Sequence, residues 1–132
     1  MINLIFLYLY LGNIEKNLRD DIFKNYSNQI RPVLNYSDPV IMNIGLNIKG
    51  LEKFNQVSET IDYNLWITMR WKDEFLNWNK DSYNIEYIDI NANDIWLPDL
   101  ELYNAAKLPE VYNVKDQLRL YSDGTIFYQR PV

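Results

Sequence analysis

The clearest pattern in the chain is an alternation of apolar and polar side chains over residues 61–71. A period of two predicts a half-buried antiparallel strand, because successive side chains of a strand point to opposite faces. The apolar face carries Ile61, Tyr63, Leu65, Ile67, Met69 and Trp71. Trp66 breaks the pattern, since it falls on the polar face with Thr68 and Arg70. Either a second layer or loop covers the Trp66 ring, or the ring belongs to a contact surface. We favour the contact surface.

The same alternation predicts further strands over residues 42–48 and 85–90. Lys49 and Gly50 end the first of these strands or introduce a bulge. Over residues 14–26 apolar side chains recur every four positions, which predicts an amphipathic helix of about three turns. We interpret this helix as a cap on a β-core rather than as a partner-binding helix.

The last predicted element is a hairpin of residues 117–121 and 125–129, for which two registers compete. A two-residue Asp-Gly turn would mix polar and apolar side chains on both faces. A three-residue loop with Gly124 in the left-handed conformation places Leu120 opposite Ile126 and leaves one face wholly apolar. We choose the three-residue loop, because burying one uniform face fixes the register. The other face of the hairpin then carries Gln117, Arg119, Tyr121, Phe127 and Gln129.

Pro98 marks a corner in the chain, because a proline cannot donate to a central strand ladder. We expect Trp96 to pack this corner and Asp99 to bind the backbone amides that follow it. Together these elements predict a mainly β fold, an antiparallel immunoglobulin-like β-sandwich with a short N-terminal α-helix. We expect the sandwich to be truncated before it is complete, since no closing strands follow Val132.

Composition narrows the classes of function that the chain can have. The 132 residues suit one domain or part of one, and they include 11 Tyr, 5 Phe and 4 Trp. A formal charge of −5 argues against a nucleic-acid partner, which requires a basic face. The absence of His and Cys excludes the common zinc sites and the usual nucleophile–base pairs. A pair of carboxylates for hydrolysis remains possible by number, but the spacing of the acidic residues singles out no such pair. We therefore predict a protein that is not an enzyme and that uses no metal or cofactor.

The first residues of the chain suggest export. Residues 2–11 are nearly all apolar but too few to span a bilayer, which needs about 20 residues. They match the core of a secretory signal or a buried strand, and we interpret residues 1–12 as a partial signal peptide and residues 13–132 as the domain. The sequons that begin at Asn25 and Asn35 agree with export and predict glycosylation there.

Several motifs in combination identify a family. They are Ile30-Arg31-Pro32-Val33, Asn64-Leu65-Trp66, the tryptophans Trp66, Trp71 and Trp78, and Trp96-Leu97-Pro98-Asp99 followed by Leu102-Tyr103-Asn104. From about Leu18 to the last residue, the chain resembles the extracellular ligand-binding domain of nicotinic acetylcholine receptor subunits, which are pentameric Cys-loop ligand-gated ion channels. The resemblance implies a homo- or heteropentamer on the extracellular face of the plasma membrane, at synapses. It also implies that acetylcholine or a similar cationic agonist binds between subunits in an aromatic cage.

The resemblance also implies roles for individual residues. Tyr103 resembles the tyrosine of the first binding loop on the principal face of the subunit. Trp66, Thr68 and Arg70 resemble the complementary-face strand, and Trp96, Pro98 and Asp99 resemble residues that shape the corner. The complementary-face hairpin corresponds to Arg119, Tyr121, Phe127 and Gln129.

The chain departs from the family pattern in several respects. We expect the Cys-loop to begin beyond Pro131, and the later binding loops and the four membrane helices to follow it, so truncation explains the lack of Cys. Contact with the membrane is expected only through those helices. Residues 107–110 depart from the acidic, Gly-bearing sequence usual after the first loop. The alternatives are a secreted acetylcholine-binding protein without a channel, a subunit gated by another transmitter, and an unrelated secreted β-domain.

Overall fold

A computed structural model of the chain describes residues 4–100 and 116–131, with side chains from Asn13 onward. Helix α1 is followed by a long hairpin, a short helix and three further strands. The elements are α1 (Leu4–Phe23), β1 (Met42–Asn55), β2 (Thr60–Lys72), α2 (Lys80–Tyr83), β3 (Tyr87–Asn91), β4 (Gln117–Tyr121) and β5 (Thr125–Pro131). The five strands form one antiparallel sheet in the order β1-β2-β5-β4-β3. The predicted mainly β class with an N-terminal helix is confirmed, and the sheet is consistent with the predicted immunoglobulin-like sandwich.

Helix α1 begins earlier and ends sooner than the periodicity predicted. It runs from Leu4 to Phe23 rather than over residues 14–26, because the apolar residues before Gly12 continue the helix. The described part of the apolar stretch is therefore helical, and its interpretation as a strand is wrong. No helix in the described ranges is both long and apolar enough to cross a membrane. Leu18 is completely buried in the core, so α1 caps the sheet as expected.

The β1–β2 hairpin is longer than predicted because β1 continues through two irregularities. Its register with β2 shifts between Ile48 and Gly50 and again between Leu51 and Lys53. The predicted bulge near Gly50 is thus confirmed, and the strand does not end there. In the turn that follows β1, the Asn55 side chain accepts hydrogen bonds from the amides of Val57 and Ser58.

The hydrophobic core lies on one face of the sheet, and period-two positions on β2 to β5 build it. These residues are Met69, Trp71, Ile88, Ile90, Leu118, Leu120, Ile126 and Tyr128, each at most 4% exposed. Leu120 pairs with Ile126, as the three-residue loop predicted, and Gly124 has a φ of 86°. Burial of alternate residues on all four strands therefore fixes which face of each strand meets the core.

The core-face side chains of β1 are increasingly exposed to solvent from Ile44 to Ile48, toward the turn of the β1–β2 hairpin. Ile44, Leu46 and Ile48 pair with Met69, Ile67 and Leu65 and so share the core face, yet they are 50%, 61% and 68% exposed. No element within the described residues packs over this end of the sheet. Alternation thus predicted the face correctly, but it did not predict where along the face burial stops.

One buried polar group connects four separate parts of the chain. The Asp73 side chain, directly after β2, is fully buried and accepts a hydrogen bond of 2.6 Å from the Tyr26 hydroxyl. The same hydroxyl accepts a hydrogen bond from the backbone N–H of Trp96 at 3.0 Å. The amide of Asp73 donates to the carbonyl of Gly124 at 2.9 Å. Burial raises the pKa of both Asp73 and Tyr26.

We predict that Gly124→Ala destabilises the chain, whereas Gly45→Ala is a harmless control. A Cβ on Gly124 would lie 2.4 Å from the carbonyl oxygen of Asp73, and its φ is left-handed. A Cβ on Gly45 would meet only the Thr68 Cβ, at 3.9 Å. Urea unfolding of the full chain should show a loss of more than about 1 kcal/mol for Gly124→Ala alone. Equal unfolding free energies for the two variants would contradict this description of the loop.

We predict that Asp73 makes stability depend on pH in a specific direction. Its pKa in the folded state lies above the ordinary value of 3.8, so folding strengthens proton binding. The stability from this proton is largest below the ordinary pKa and is lost as the pH rises through the raised pKa. The unfolding free energy of the wild type minus that of Asp73→Asn should therefore fall as the pH is increased from below 3.8 through the raised pKa. A difference that stays constant or rises over that range would contradict the raised pKa.

Candidate functional site

The predicted site residues can be located from the register of the sheet. Arg70 on β2 pairs with Phe127 on β5, Phe127 pairs with Arg119 on β4, and Arg119 pairs with Asp89 on β3. Directly paired residues of antiparallel strands point to the same face of a sheet. We call this side, opposite the core, the outer face. Among the predicted residues it carries Trp66, Thr68, Arg70, Arg119, Tyr121, Phe127 and Gln129.

Burial along β2 follows the predicted alternation where the core lies beneath it. Met69 and Trp71 are buried, whereas Trp66 and Thr68 are half-buried and Arg70 is exposed. Trp66 is neither in the buried core nor among the side chains packed against it. Its indole is therefore on the outer face, where Thr68 and then Arg70 follow it at steps of about 7 Å along the strand.

Arg119 makes an ion pair that the sequence pattern does not predict. Its Nε lies 3.0 Å from Asp89 Oδ1, and its guanidinium carbon lies 4.1 Å from the centre of the Tyr87 ring. The hydrogen bond to Asp89 is the main reason why the pKa of Arg119 is raised. The positive charge of Arg119 is thus balanced locally. The alternation over residues 85–90 predicts that Tyr87 and Asp89 point away from the core. That they lie beside Arg119 follows only from the strand order of the sheet.

Arg70 has a different environment from Arg119. Its guanidinium carbon lies 5.5 Å from the centre of the Phe127 ring, with which its residue pairs across the strands. Beside it the outer face has a depression of about 300 Å³, which we call the Arg70 depression. It is lined by Asn43, Gly45, Thr68, Arg70 and Phe127 and also by Ile44, whose side chain belongs to the opposite face of β1.

Strand β1 contributes residues to the outer face that are not among the predicted site residues. Asn43 and Gly45 pair with Arg70 and Thr68, and the Asn47 amide donates to the Thr68 hydroxyl oxygen at 3.3 Å. The alternation over residues 42–48 already places Asn43, Gly45 and Asn47 on the polar face of the predicted strand. Their position beside β2 could be inferred only by assuming that the two strands form a hairpin.

The corner near Pro98 packs against the core side of the sheet. The ring of Trp96 meets that of Trp71 edge to face, with centroids 6.5 Å apart and an angle of 78°. Pro98 is half-buried and Asp99 is exposed. Of the amides after Asp99 that it was expected to bind, those beyond Leu100 lie outside the described residues, so this expectation stays a prediction. Tyr103, the predicted principal-face residue, also lies outside them.

Both predicted glycosylation sites are accessible in the described part of the chain. Asn25 and Asn35 are exposed, and the Asn35 side chain accepts a hydrogen bond from the amide of Ser37 at 3.1 Å. Glycosylation of the two residues stays a prediction.

Within the described ranges no three acidic residues come close enough together to hold a metal ion, and the chain has no His or Cys.

Comparisons with known proteins cover nearly the whole chain. Residues 15–132 match the family described as the neurotransmitter-gated ion-channel ligand binding domain. Mouse neuronal acetylcholine receptor subunit alpha-6 is 36% identical over 131 residues, which cover 96% of this chain and 26% of the mouse protein. Acetylcholine receptor subunit alpha-1-B of Xenopus laevis is 35% identical over 134 residues, which cover 97% of this chain and 29% of the frog protein. The chain thus spans less than a third of the length of these relatives.

We predict that two tryptophans of β2 respond oppositely to truncation. Trp71 is 2% exposed in the core, so Trp71→Ala should cost about 3–5 kcal/mol of unfolding free energy. Trp66 lies on the outer face, so Trp66→Ala should cost about 1 kcal/mol or less. Urea unfolding of the two full-length variants, followed by circular dichroism, measures both values. A larger loss for Trp66→Ala than for Trp71→Ala would mean that the faces of β2 are assigned the wrong way round.

Proposed function

Because the chain belongs to the neurotransmitter-gated ion-channel ligand-binding domain family, we propose that it is the N-terminal part of the extracellular ligand-binding domain of an acetylcholine receptor subunit. It binds acetylcholine or a similar cationic agonist at subunit interfaces through an aromatic cage. Its partners are other subunits of a homo- or heteropentamer at the extracellular face of the plasma membrane, at synapses. It contacts the membrane through helices of a longer protein. The relatives are named as receptor subunits, and the proposed role is binding rather than catalysis.

The observation that carries this proposal is the position of Trp66. Trp66 is half-buried on the outer face and outside the core, and a large aromatic ring in such a position can present its π surface to a ligand. A quaternary ammonium over such a ring gains about 1–2 kcal/mol when the site excludes water. Thr68 follows on the same strand face, and Tyr121 lies on the same side of the sheet. The outer face is therefore suited to be the complementary side of an intersubunit site.

The aromatic rings of the outer face differ in whether an arginine already lies beside them. Phe127 already lies beside the guanidinium of Arg70, and Tyr87 lies beneath that of Arg119. A ligand cation would have to compete with these arginines for either ring. Trp66 makes no such pair among the described residues, so we assign it the main contact with the ligand cation. Asp89 reduces the repulsion that Arg119 would otherwise exert on a cationic ligand.

Tyr103 completes the proposal on the other side of the subunit. We assign it an aromatic wall on the principal face, on the basis of the Trp-x-Pro-Asp corner and the Leu-Tyr-Asn that follows it. In a ring of subunits, one copy then supplies Trp66 and its neighbour supplies the residue equivalent to Tyr103.

The proposal predicts a selective loss of agonist affinity. Residues 15–132 would replace the matching segment of the Xenopus laevis alpha-1-B subunit, and the chimera would be expressed on cells with its partner subunits. Trp66→Ala should weaken agonist binding by about 1–3 kcal/mol, or about 5- to 150-fold, while surface labelling stays near normal. Radioligand competition and surface labelling on the same cells measure both quantities.

A matched substitution of an exposed aromatic residue serves as the control. Tyr36 is 88% exposed on a loop, so Tyr36→Ala should leave both agonist affinity and surface level unchanged. Normal surface level with unchanged affinity for Trp66→Ala would disprove its contact with the agonist. Failure of the unmutated chimera to bind any cationic agonist, despite normal surface level, would disprove the proposed function itself.

A further inference from the structure

The Arg70 depression has the chemistry of a site for a carboxylate group. Asn43, Thr68 and Arg70 contribute polar groups to its lining, and Ile44 and the Phe127 ring contribute apolar surface. Gly45 pairs with Thr68 and has no side chain, which leaves the depression open between the two strands. The side chains of Asn43, Thr68 and Arg70 can all donate hydrogen bonds toward a bound group.

The guanidinium of Arg70 is well placed to bind an anion. Stacking beside Phe127 restricts the orientation of the planar group, which reduces the entropy lost when it binds. A guanidinium presents two parallel N–H donors that match the two oxygens of a carboxylate. The Thr68 hydroxyl oxygen already accepts a hydrogen bond from Asn47, so the Thr68 hydrogen can be donated to a ligand.

The charge distribution favours the same ligand. The chain carries a net charge of −5, and Arg119 is paired with Asp89 on the same face. Within the described ranges no carboxylate lies within 4 Å of the Arg70 guanidinium. A carboxylate of another molecule would therefore meet the positive charge of Arg70, which no carboxylate of the described residues neutralises.

We propose that the Arg70 depression binds a carboxylate group, held by the guanidinium fork of Arg70 and by the Thr68 hydroxyl. This site is separate in chemistry from the cation contact assigned to Trp66, which lies four residues earlier on β2. The carboxylate belongs either to a small molecule or to an acidic side chain of another copy of the chain. Both sources use the same donors, and protein concentration distinguishes them.

Protection of Arg70 from phenylglyoxal tests the proposal without an agonist. The full chain is labelled in about 20 mM succinate or in sodium chloride of equal ionic strength, since a single charge-assisted contact supports a millimolar Kd. Labelling of each arginine is then measured by mass spectrometry. Succinate should slow the labelling of Arg70 by about threefold or more at low protein concentration, as expected for a largely occupied site.

Arg31 provides an internal control for the stacking itself. Its guanidinium carbon lies 5.2 Å from the centre of the Tyr36 ring, so it is also stacked, but it does not line the depression. Succinate should leave the labelling of Arg31 unchanged. Thr68→Val removes the hydroxyl at similar volume, and we expect it to raise the succinate concentration needed for half-protection by about tenfold.

The labelling results distinguish a small-molecule carboxylate from a carboxylate of another copy of the chain, and they also show when neither binds. Protection by succinate at low protein concentration supports a small-molecule carboxylate. Protection that needs no succinate and increases with protein concentration supports a carboxylate of another copy, provided that Thr68→Val weakens it. Equal labelling of Arg70 in both salts at every protein concentration would overturn the proposal. Equal protection of Arg31 and Arg70, or full protection in Thr68→Val, would also overturn it.

Discussion

The structure depends on a carboxylate that is buried where four segments meet. Asp73 accepts the hydroxyl of Tyr26 from the turn after α1, and its backbone binds Gly124 in the β4–β5 loop. The Tyr26 hydroxyl in turn accepts the amide of Trp96 at the corner. A buried charge is costly unless its hydrogen bonds are satisfied, so this arrangement fixes all four segments together. It holds the loop that sets the register of the last hairpin, and thus the side chains of the outer face.

On the outer face, each of two arginines lies beside an aromatic ring, and only one of the two is also paired with a carboxylate. Arg119 is stacked on Tyr87 and paired with Asp89, whereas Arg70 is stacked beside Phe127. The two arginines lie in one cross-strand row, separated by Phe127. One positive charge is therefore neutralised within the row, while the other faces a depression lined with donors. The outer face therefore has two distinct environments along β2, the ring of Trp66 and, four residues later, the guanidinium of Arg70.

The core face shows that a single strand can have two environments along its length. Met69 and Trp71 are buried near the end of β2, but Ile61 and Tyr63 on the same face are 44% and 51% exposed. The difference does not come from composition, since all four side chains are apolar or aromatic. It arises because α1 and the corner cover only one end of the sheet in the described ranges. Alternation reports the direction of a side chain, and packing by other segments decides its burial.

The sequence by itself determined the local features of this protein. The strand faces, the three-residue loop with Gly124, the outward position of Trp66 and the family all followed from periodicity, turn chemistry and motifs. Only the tertiary structure decided that Asp73 is buried against Tyr26, that Arg119 pairs with Asp89, and where burial ends along the sheet. The physical reason is that covalent geometry fixes side-chain direction within a strand, whereas neighbours distant in sequence are chosen by the packing of the whole chain.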